Sequence, residues 1–438
     1  MTITGDSAES IADSVRSLVD RGDLVPGQQL PPVRALSGEL GVHRNTVVSA
    51  YQRLTATGTV STRGRAGTIV SATAPVPEEG LVHEDAQLRD IGHGNPGTSW
   101  LPDPRQAFAR LADREAPSVL YGSEALDADV ERWARQWIAT DQPREFDLVL
   151  TAGAVDAVER LLAQSLTRGD AVALEDPCFL TSINSARLAG YRTLPVPVDA
   201  EGMTPDGLRA ALEAGARAVV CTPRAHNPTG ASLTASRAAE LRDVLSGHRH
   251  VLVVEDDHFS RLSTSGYHSI IGDQHHRWAL VRSVSKFLGP DLRLAVVAAD
   301  RYTVRRLRRR LSPGTTWVSH ILQRIVTTML DDDTTADRIR EAGEHYARRN
   351  ADFVQAFDGT PVAAVPGDGL NVWLTAPGSS QVIASRLSER GWRVRTGDEF
   401  SLTETGSDQS LRLTVHDLGD AELQMLAEDI LAVVAMDS

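Results

Sequence analysis

The apolar positions of this chain change period near residue 90. Before it they recur at helical spacing: Ile11, Val15, Leu18 and Val19 predict a first amphipathic helix ending near Arg21-Gly22. Pro26-Gly27 is a turn, and Pro31-Pro32 opens a second helix, VRALSGEL, closed by Gly41. The spacing predicts a third helix from about Arg44 to Thr57, with Val47, Val48, Tyr51 and Leu54 facing inward. Two short β-prone pieces follow, around Val60 and at Gly67–Val70, joined by Arg63-Gly64-Arg65.

From about Ile91 onward, strand-like apolar runs alternate with helical patterns. DLVLTAGA leads into VDAVERLLAQSL, DAVALEDP into LTSINSARLAG, and ARAVVCTP into a helix around AASRAAELRDVL; HVLVVEDDH and WALVRSV follow. This alternation predicts an α/β fold with a mostly parallel sheet and right-handed crossovers. In such sheets ligands collect at the carboxyl ends of the strands. Between the two regimes, Ser71–Gln87 has no sustained apolar period and reads as a connector. The expected division is a module over residues 1–70, a linker over 71–90 and a large domain over 91–438.

Composition narrows the class. The 438 residues are 41% hydrophobic and 24% charged, as in a soluble globular protein. No run of eighteen apolar residues marks a membrane span, and MTITGDSAES has neither the basic nor the apolar region of a signal peptide. Cys178 and Cys221 lie in apolar segments, as core fillers of a reducing cytoplasm. The net charge of −13 argues against nucleic acid only when averaged. Residues 1–70 hold seven arginines against six acids, and all the acids but Glu39 precede residue 24. The acidity belongs to the large domain.

Helix, turn, helix and a basic hairpin describe a winged helix-turn-helix, whose third helix enters the major groove by its N-terminal residues. Here those are His43, Arg44, Asn45 and Thr46; arginine suits guanine and asparagine suits adenine. Arg34 and the wing residues Arg63 and Arg65 would sit on phosphates or in the minor groove. The same tri-helical signal also describes a small protein-interaction module. The stretch LVPGQQLPPVRALSGELGVHRNTVVSAYQRLTATGTVSTRGRAGTIV, however, closely resembles the DNA-binding domain of the GntR family of bacterial regulators, which implies a double-stranded DNA partner.

In the large domain the chemistry gathers at strand ends. Thr151-Ala152-Gly153-Ala154 opens a helix, whose free N–H groups suit a phosphate. Phe179 in DPCF could stack on a planar ring or fill the core; Asn227 in NPTG could bond a ring oxygen or cap a helix. Asp256 in EDDH could keep a pyridine nitrogen protonated, or be a solvated acid. VRSVSKFLGPDLRLA sets Lys286 beside Ser283, Ser285 and Arg293 between two buried strand patterns. An amine, hydroxyls and a guanidinium together suggest pyridoxal 5′-phosphate (PLP), whose aldehyde condenses with a lysine.

Taken in order, these motifs resemble the fold-type I PLP enzymes, especially class I aminotransferases, from Ile91 to the C-terminus. The resemblance makes Lys286 the Schiff-base lysine and Asp256 the partner of the pyridine nitrogen. Asn227 would contact the ring hydroxyl, Phe179 would stack on the ring, and Gly153, Ala154, Ser283, Ser285 and Arg293 would surround the phosphate. Tyr121, in VLYG, resembles the tyrosine that reaches the neighbouring subunit's phosphate, which implies a homodimer. Arg412, in SLRLTV, resembles the arginine that grips a substrate carboxylate. Two departures weigh against efficient turnover: His258 stands where aminotransferases place a tyrosine, and YGSEALDADV lacks the family's glycine after YG.

A GntR-type module fused to an aminotransferase-like domain is the MocR arrangement. EDPCFLTSIN, TPRAHNPTG and RSVSKFLGPDLRLA look particularly like the PtsJ type within it. The resemblance implies a PLP-responsive transcriptional regulator of vitamin B6 homeostasis, with the aminotransferase-like domain serving as effector-binding domain. The alternatives are a working aminotransferase with an appended DNA-binding domain, a regulator of amino-acid or amine metabolism with an amino acid as co-effector, and a scaffold that only dimerises.

Overall fold

Local capping chemistry shapes the first helices of the computed structural model, which describes residues 2–56, 59–62, 67–70, 80, 88–113, 118–403 and 408–436. Ser7 caps helix Ala8–Asp20 through a reciprocal bond with Ser10, and Ile11, Ala12, Val15 and Leu18 form its buried stripe. Helix Val33–Leu40 ends on Gly41, whose φ of 64° is a left-handed C-cap that suits glycine. Helix Arg44–Ala56 follows, and Tyr51 Oη donates to the Pro31 carbonyl at 2.7 Å, tying it to the entry of its predecessor. Val48 departs from expectation. It is half-buried, and Ala50 takes the inward place, because 47, 50, 51 and 54 fall on one helical face and 48 does not. Strands Val60–Thr62 and Thr68–Val70 pair antiparallel as a wing. Arg63 and Arg65 lie outside the described residues, as does most of the connector.

The chain forms two compact units, Met1–Glu78 with Asn184–Tyr191, and Glu79–Ile183 with Arg192–Ser438. The second is built on an eight-stranded sheet. Its strands are β1 (Asp147–Thr151), β2 (Ala171–Asp176), β3 (Arg192–Asp199), β4 (Gly202–Met203), β5 (Ala216–Cys221), β6 (Leu252–Asp256), β7 (Trp278–Ser283) and β8 (Ala295–Ala299). Their spatial order is β1-β8-β7-β6-β5-β2-β3-β4. The run from β7 through β6, β5 and β2 to β3 is parallel, and β8 pairs antiparallel with both β7 and β1. The strands from β5 to β8 are buried almost throughout, which explains their continuous Val, Leu and Ala runs.

A second layer packs toward the C-terminus. Ala363–Ala364, Val372–Thr375, Ser410–Leu413 and Arg395–Thr396 form an antiparallel four-stranded sheet in that order. It shares an apolar core with helices Ser380–Glu389 and Asp420–Ala435, including Ile383, Val372, Leu411 and Ile430. Both cysteines are buried and free. Among the described residues no helix is long and apolar enough to cross a membrane.

Candidate functional site

The carboxyl ends of β1, β2, β5, β6 and β7 converge on one cavity of about 390 Å³, within the range of small-ligand sites. Its lining includes Gly153, Ala154, Phe179, Asn227, Asp256, His258, Ser283, Ser285, Lys286 and Arg293, so the structure brings together ten residues predicted from five separate motifs.

Lys286 sits on the single-turn helix Ser285–Leu288 between β7 and β8, and its Nζ donates to the Gly94 carbonyl at 2.9 Å. The Gly94 carbonyl thus holds the amine in the cavity. Lys286 is also the only lysine among the chain's 45 lysine and arginine residues. The other 44 are arginines, which keep their charge and cannot supply a reactive amine.

Asp256, the last residue of β6, is 9% exposed, and its Oδ1 has no hydrogen-bond partner. Burial, and then repulsion from Asp257, push its carboxyl up to about 7. Asp257 is the opposite case. It is fully buried, but Arg224 grips it at 2.7 and 2.9 Å and Arg282 Nε at 2.8 Å. Burial works against its charge, yet the two guanidinium groups hold its pKa below the usual carboxylate range. Arg282 is anchored in turn by Asp141 at 2.5 Å and by the Trp137 carbonyl. This network has no local sequence signature, and sequence reasoning missed it.

Two further groups were missed. Glu175, at the end of β2, accepts from Thr222 N–H at 3.0 Å and lies 3.4 Å from His226 Nε2. Burial raises Glu175 to about 8 and lowers His226 to about 3, so this pair is neutral at pH 7. A neutral pair leaves Asp256 as the group on which a cationic ring nitrogen can act. The other group is the segment around Gly94 and Asn95, which meets Lys286 and lines the cavity.

At the other end the groups suit an anion. Gly153, with φ of 101°, caps helix Ala154–Ala163, whose first N–H groups are free. A Cβ on Gly153 would lie 3.7 Å from Arg293 Cζ, so the glycine leaves room beside that guanidinium. Arg293 itself holds φ of 29°, a left-handed conformation that non-glycine residues seldom adopt away from functional turns. Ser285 N–H donates to Ser283 Oγ, which bonds Ser285 Oγ at 3.1 Å. An unpartnered carboxyl oxygen at one end, an amine in the wall and an anion cradle at the other end fit PLP in its donor set.

Two expected residues lie elsewhere. Tyr121 is 94% exposed and does not line the cavity; its ring is 5.7 Å from that of Trp317. Arg412 is fully buried behind Asn227, donating to Asn227 Oδ1 at 3.1 Å and to the Gly92 carbonyl at 2.5 Å. In the N-terminal unit His43, Arg44 and Asn45 are exposed and Thr46 is half-buried. His43 Nδ1 accepts the Asn45 N–H at 3.2 Å, so this side chain caps the third helix as well as standing at its tip. Arg34 is exposed, and among the described residues neither it nor Arg44 makes an ion pair, whereas Arg16, Arg21 and Arg53 do.

Comparison with known proteins agrees with this geometry. Residues 92–430 match the aminotransferase class I and II family, and residues 7–70 match the gntR family of bacterial regulatory proteins. The chain is 44% identical over 429 residues, 98% of each sequence, to the vitamin B6 salvage pathway transcriptional repressor PtsJ of Salmonella typhimurium. It is 26% identical, over 92% of its length and 90% of the relative's, to the pyridoxine biosynthesis transcriptional regulator PdxR of Corynebacterium glutamicum. A kynurenine aminotransferase from Pyrococcus horikoshii superimposes with a TM-score of 0.73 at 19% identity, over 81% of this chain and 92% of that one, which shows a shared fold. With its gntR-family module and its class I and II aminotransferase domain, the chain belongs to the MocR subfamily of GntR transcriptional regulators.

Proposed function

We propose that this protein is a PLP-responsive repressor of vitamin B6 salvage genes, reading promoter DNA through residues 1–70 and PLP through residues 91–438. The observation that carries this reading is the chain's only lysine, placed in one cavity with a buried carboxylate whose Oδ1 has no partner. The relative that shares 98% of the chain's length is named for the same pathway.

When bound, PLP supplies an aldehyde that condenses with an amine and a ring nitrogen that a carboxylate keeps protonated. The chain's residues would do the rest. Gly94 holds the Lys286 amine in place, and Asp256 gains the cation that its burial lacks. Gly153, Ala154, Ser283, Ser285 and Arg293 would hold the phosphate, Phe179 would cover the ring, and Asn227 and His258 would contact its oxygen. Asn227 is in turn positioned by Arg412. Arg412 already serves Asn227 and the Gly92 carbonyl, so an effector carboxylate there would share the guanidinium with those bonds. Tyr121, exposed beside the exposed Leu120, is assigned to a second copy's phosphate site in a homodimer. Signalling then requires that PLP bind the two arrangements of the dimer with different affinity.

The test of the whole reading is selection of genomic fragments by the full-length protein with and without PLP. Enrichment of DNA upstream of vitamin B6 genes, changed by PLP, supports it; unrelated fragments indifferent to PLP reject it. Borohydride reduction with PLP is expected to leave one side-chain adduct, on the Lys286 peptide, and Lys286→Ala to lose both the adduct and the visible absorption band. A Lys286→Ala protein with normal DNA response to PLP excludes covalent sensing. Arg44→Ala is expected to weaken operator binding by about 1–3 kcal/mol, read by titration against the wild type.

Asp256 gives a signed pH dependence. Its folded pKa of about 7 exceeds the ordinary 3.8, so between those values the native state binds the extra proton and ligand-free stability falls as pH rises. Asp256→Asn removes that penalty, which is on the order of 4 kcal/mol at most. The variant's ligand-free melting temperature is expected to exceed the wild type's above pH 7 and to match it near pH 4, while its PLP affinity falls. A variant that melts lower at pH 8, or binds PLP as tightly, contradicts the assignment.

A further inference from the structure

The amino edge of the large sheet, opposite the cavity, carries a row of arginines. Along the parallel run, Arg277 immediately precedes β7, Arg249 lies three residues before β6, Arg217 is the second residue of β5 and Arg192 the first of β3. Adjacent strands are about 4.8 Å apart, so from β7 to β3 the edge spans roughly 19 Å. Most of these guanidinium groups spend their bonds on neutral acceptors. Arg277 donates to Ser165 Oγ at 2.7 Å, Arg249 to the Ser246 carbonyl at 3.3 Å and Arg192 to the Ala214 carbonyl at 3.2 Å. Among the described residues only Arg217 meets a carboxylate, that of Asp170 at 3.0 Å.

Helix Arg301–Leu311 (RYTVRRLRRRL) extends the row. Thr303, Val304, Leu307 and Leu311 are its buried face. Tyr302, Arg305, Arg306, Arg309 and Arg310 recur at i, i+3, i+4, i+7 and i+8 and so share one face, on which Arg306 is half-buried and the others are exposed. The two parts meet at Tyr302, whose ring lies 5.8 Å from Arg277 Cζ and 5.6 Å from Arg306 Cζ. Burial, and then repulsion from Arg306, lower the Arg277 guanidinium, with Arg217 acting in the same direction. Nearby acids do not neutralise the strip. Glu145 is taken by Arg301, and Asp300 accepts from the Trp278 and Thr303 N–H groups. Glu213, Glu240 and Asp243 line a groove that Ser246 also borders, and among the described residues none of the three pairs with an arginine of the strip. Arg305, Arg309 and Arg310 make no ion pair among the described residues.

In a chain of net charge −13, an uncompensated arginine strip of this kind is a polyanion surface. We propose that it binds the sugar-phosphate backbone of double-stranded DNA beyond the segment read by the N-terminal module. This rests on the reading of that module as a DNA-binding domain. Guanidinium forks suit phosphate oxygens, and a chain already tethered to DNA turns weak phosphate contacts into an intramolecular event at high effective concentration. Such contacts carry no sequence information and set length dependence and salt dependence instead.

The test compares full-length wild type with the triple variant Arg305→Gln, Arg309→Gln, Arg310→Gln. Each is titrated over a range of salt on the promoter site in a duplex of about 20 base pairs and of about 60. On the long duplex the wild type is expected to bind more tightly and with a steeper salt slope, and the variant to lose about 2–3 from that slope. On the short duplex the two proteins should agree, and replacing the same positions by lysine should restore the long-duplex slope. Equal slopes on the long duplex overturn the proposal, as does equal weakening on both lengths, which would place the arginines' effect in the module. A wild type that binds neither duplex defeats the DNA-binding reading itself and the proposal with it.

Discussion

Two neighbouring carboxylates at the end of one strand are treated in opposite ways, and the cavity's chemistry follows from the contrast. Successive side chains leave an extended chain on opposite sides, and the Asp257 N–H still bonds the Val281 carbonyl, so the strand geometry persists through the pair. One side meets Arg224 and Arg282; the other meets the cavity. Desolvating an ion costs several kcal/mol, which Asp257 offsets with short charge-assisted bonds from both arginines. Asp256 has no such offset. Its oxygen is buried, unbonded and beside a fixed negative charge, and a cation placed against it would gain what the protein withholds.

The same contrast explains why Glu175 and His226 are neutral rather than a second ion pair. At 3.4 Å they are within ion-pair distance, but both are buried and among the described residues neither has a further charged partner to hold it ionised. Burial then disfavours charge on each, raising the acid and lowering the base. A charged pair there would compete for the Asp256 field; a neutral one shapes the wall without adding to it. The electrostatics are thus concentrated on one carboxylate, one amine and one anion cradle.

How much of this could be read from the sequence depends on how far apart the partners are. The strand ends were legible because each apolar run announces where its strand stops, and the residues that follow are the ones the fold gathers. All five motifs meet in one cavity for that reason. Pairings across the chain were not legible. Arg224 reaches Asp257 over 33 positions, Arg282 reaches Asp141 over 141, and Lys286 reaches Gly94 over 192. No periodicity carries such information. Arg412 shows the related difficulty: its place on a strand could be inferred from SLRLTV, but not that its guanidinium is turned onto Asn227 and the Gly92 carbonyl. Val48 shows it in small, since a valine and an alanine two positions apart are separated only by the helical face each occupies.

The chain's basic residues make a final division. Arginine keeps its charge in any protein environment, forks onto carboxylates and phosphates, and stacks on rings. Those properties serve Asp257, Phe400, Tyr302 and the amino edge of the sheet equally well. They are useless for condensation with an aldehyde, because a group that cannot be deprotonated cannot act as a nucleophile. A chain that uses arginine for every other cation but retains one lysine has kept the amine where its reactivity is wanted. The sheet's polarity sets one group of cations, Lys286 with Arg293, at the carboxyl edge among buried acids, and a second group, all arginine, along the amino edge. Because the parallel strands run the same way, neither set can drift toward the other without a change of register in the whole sheet.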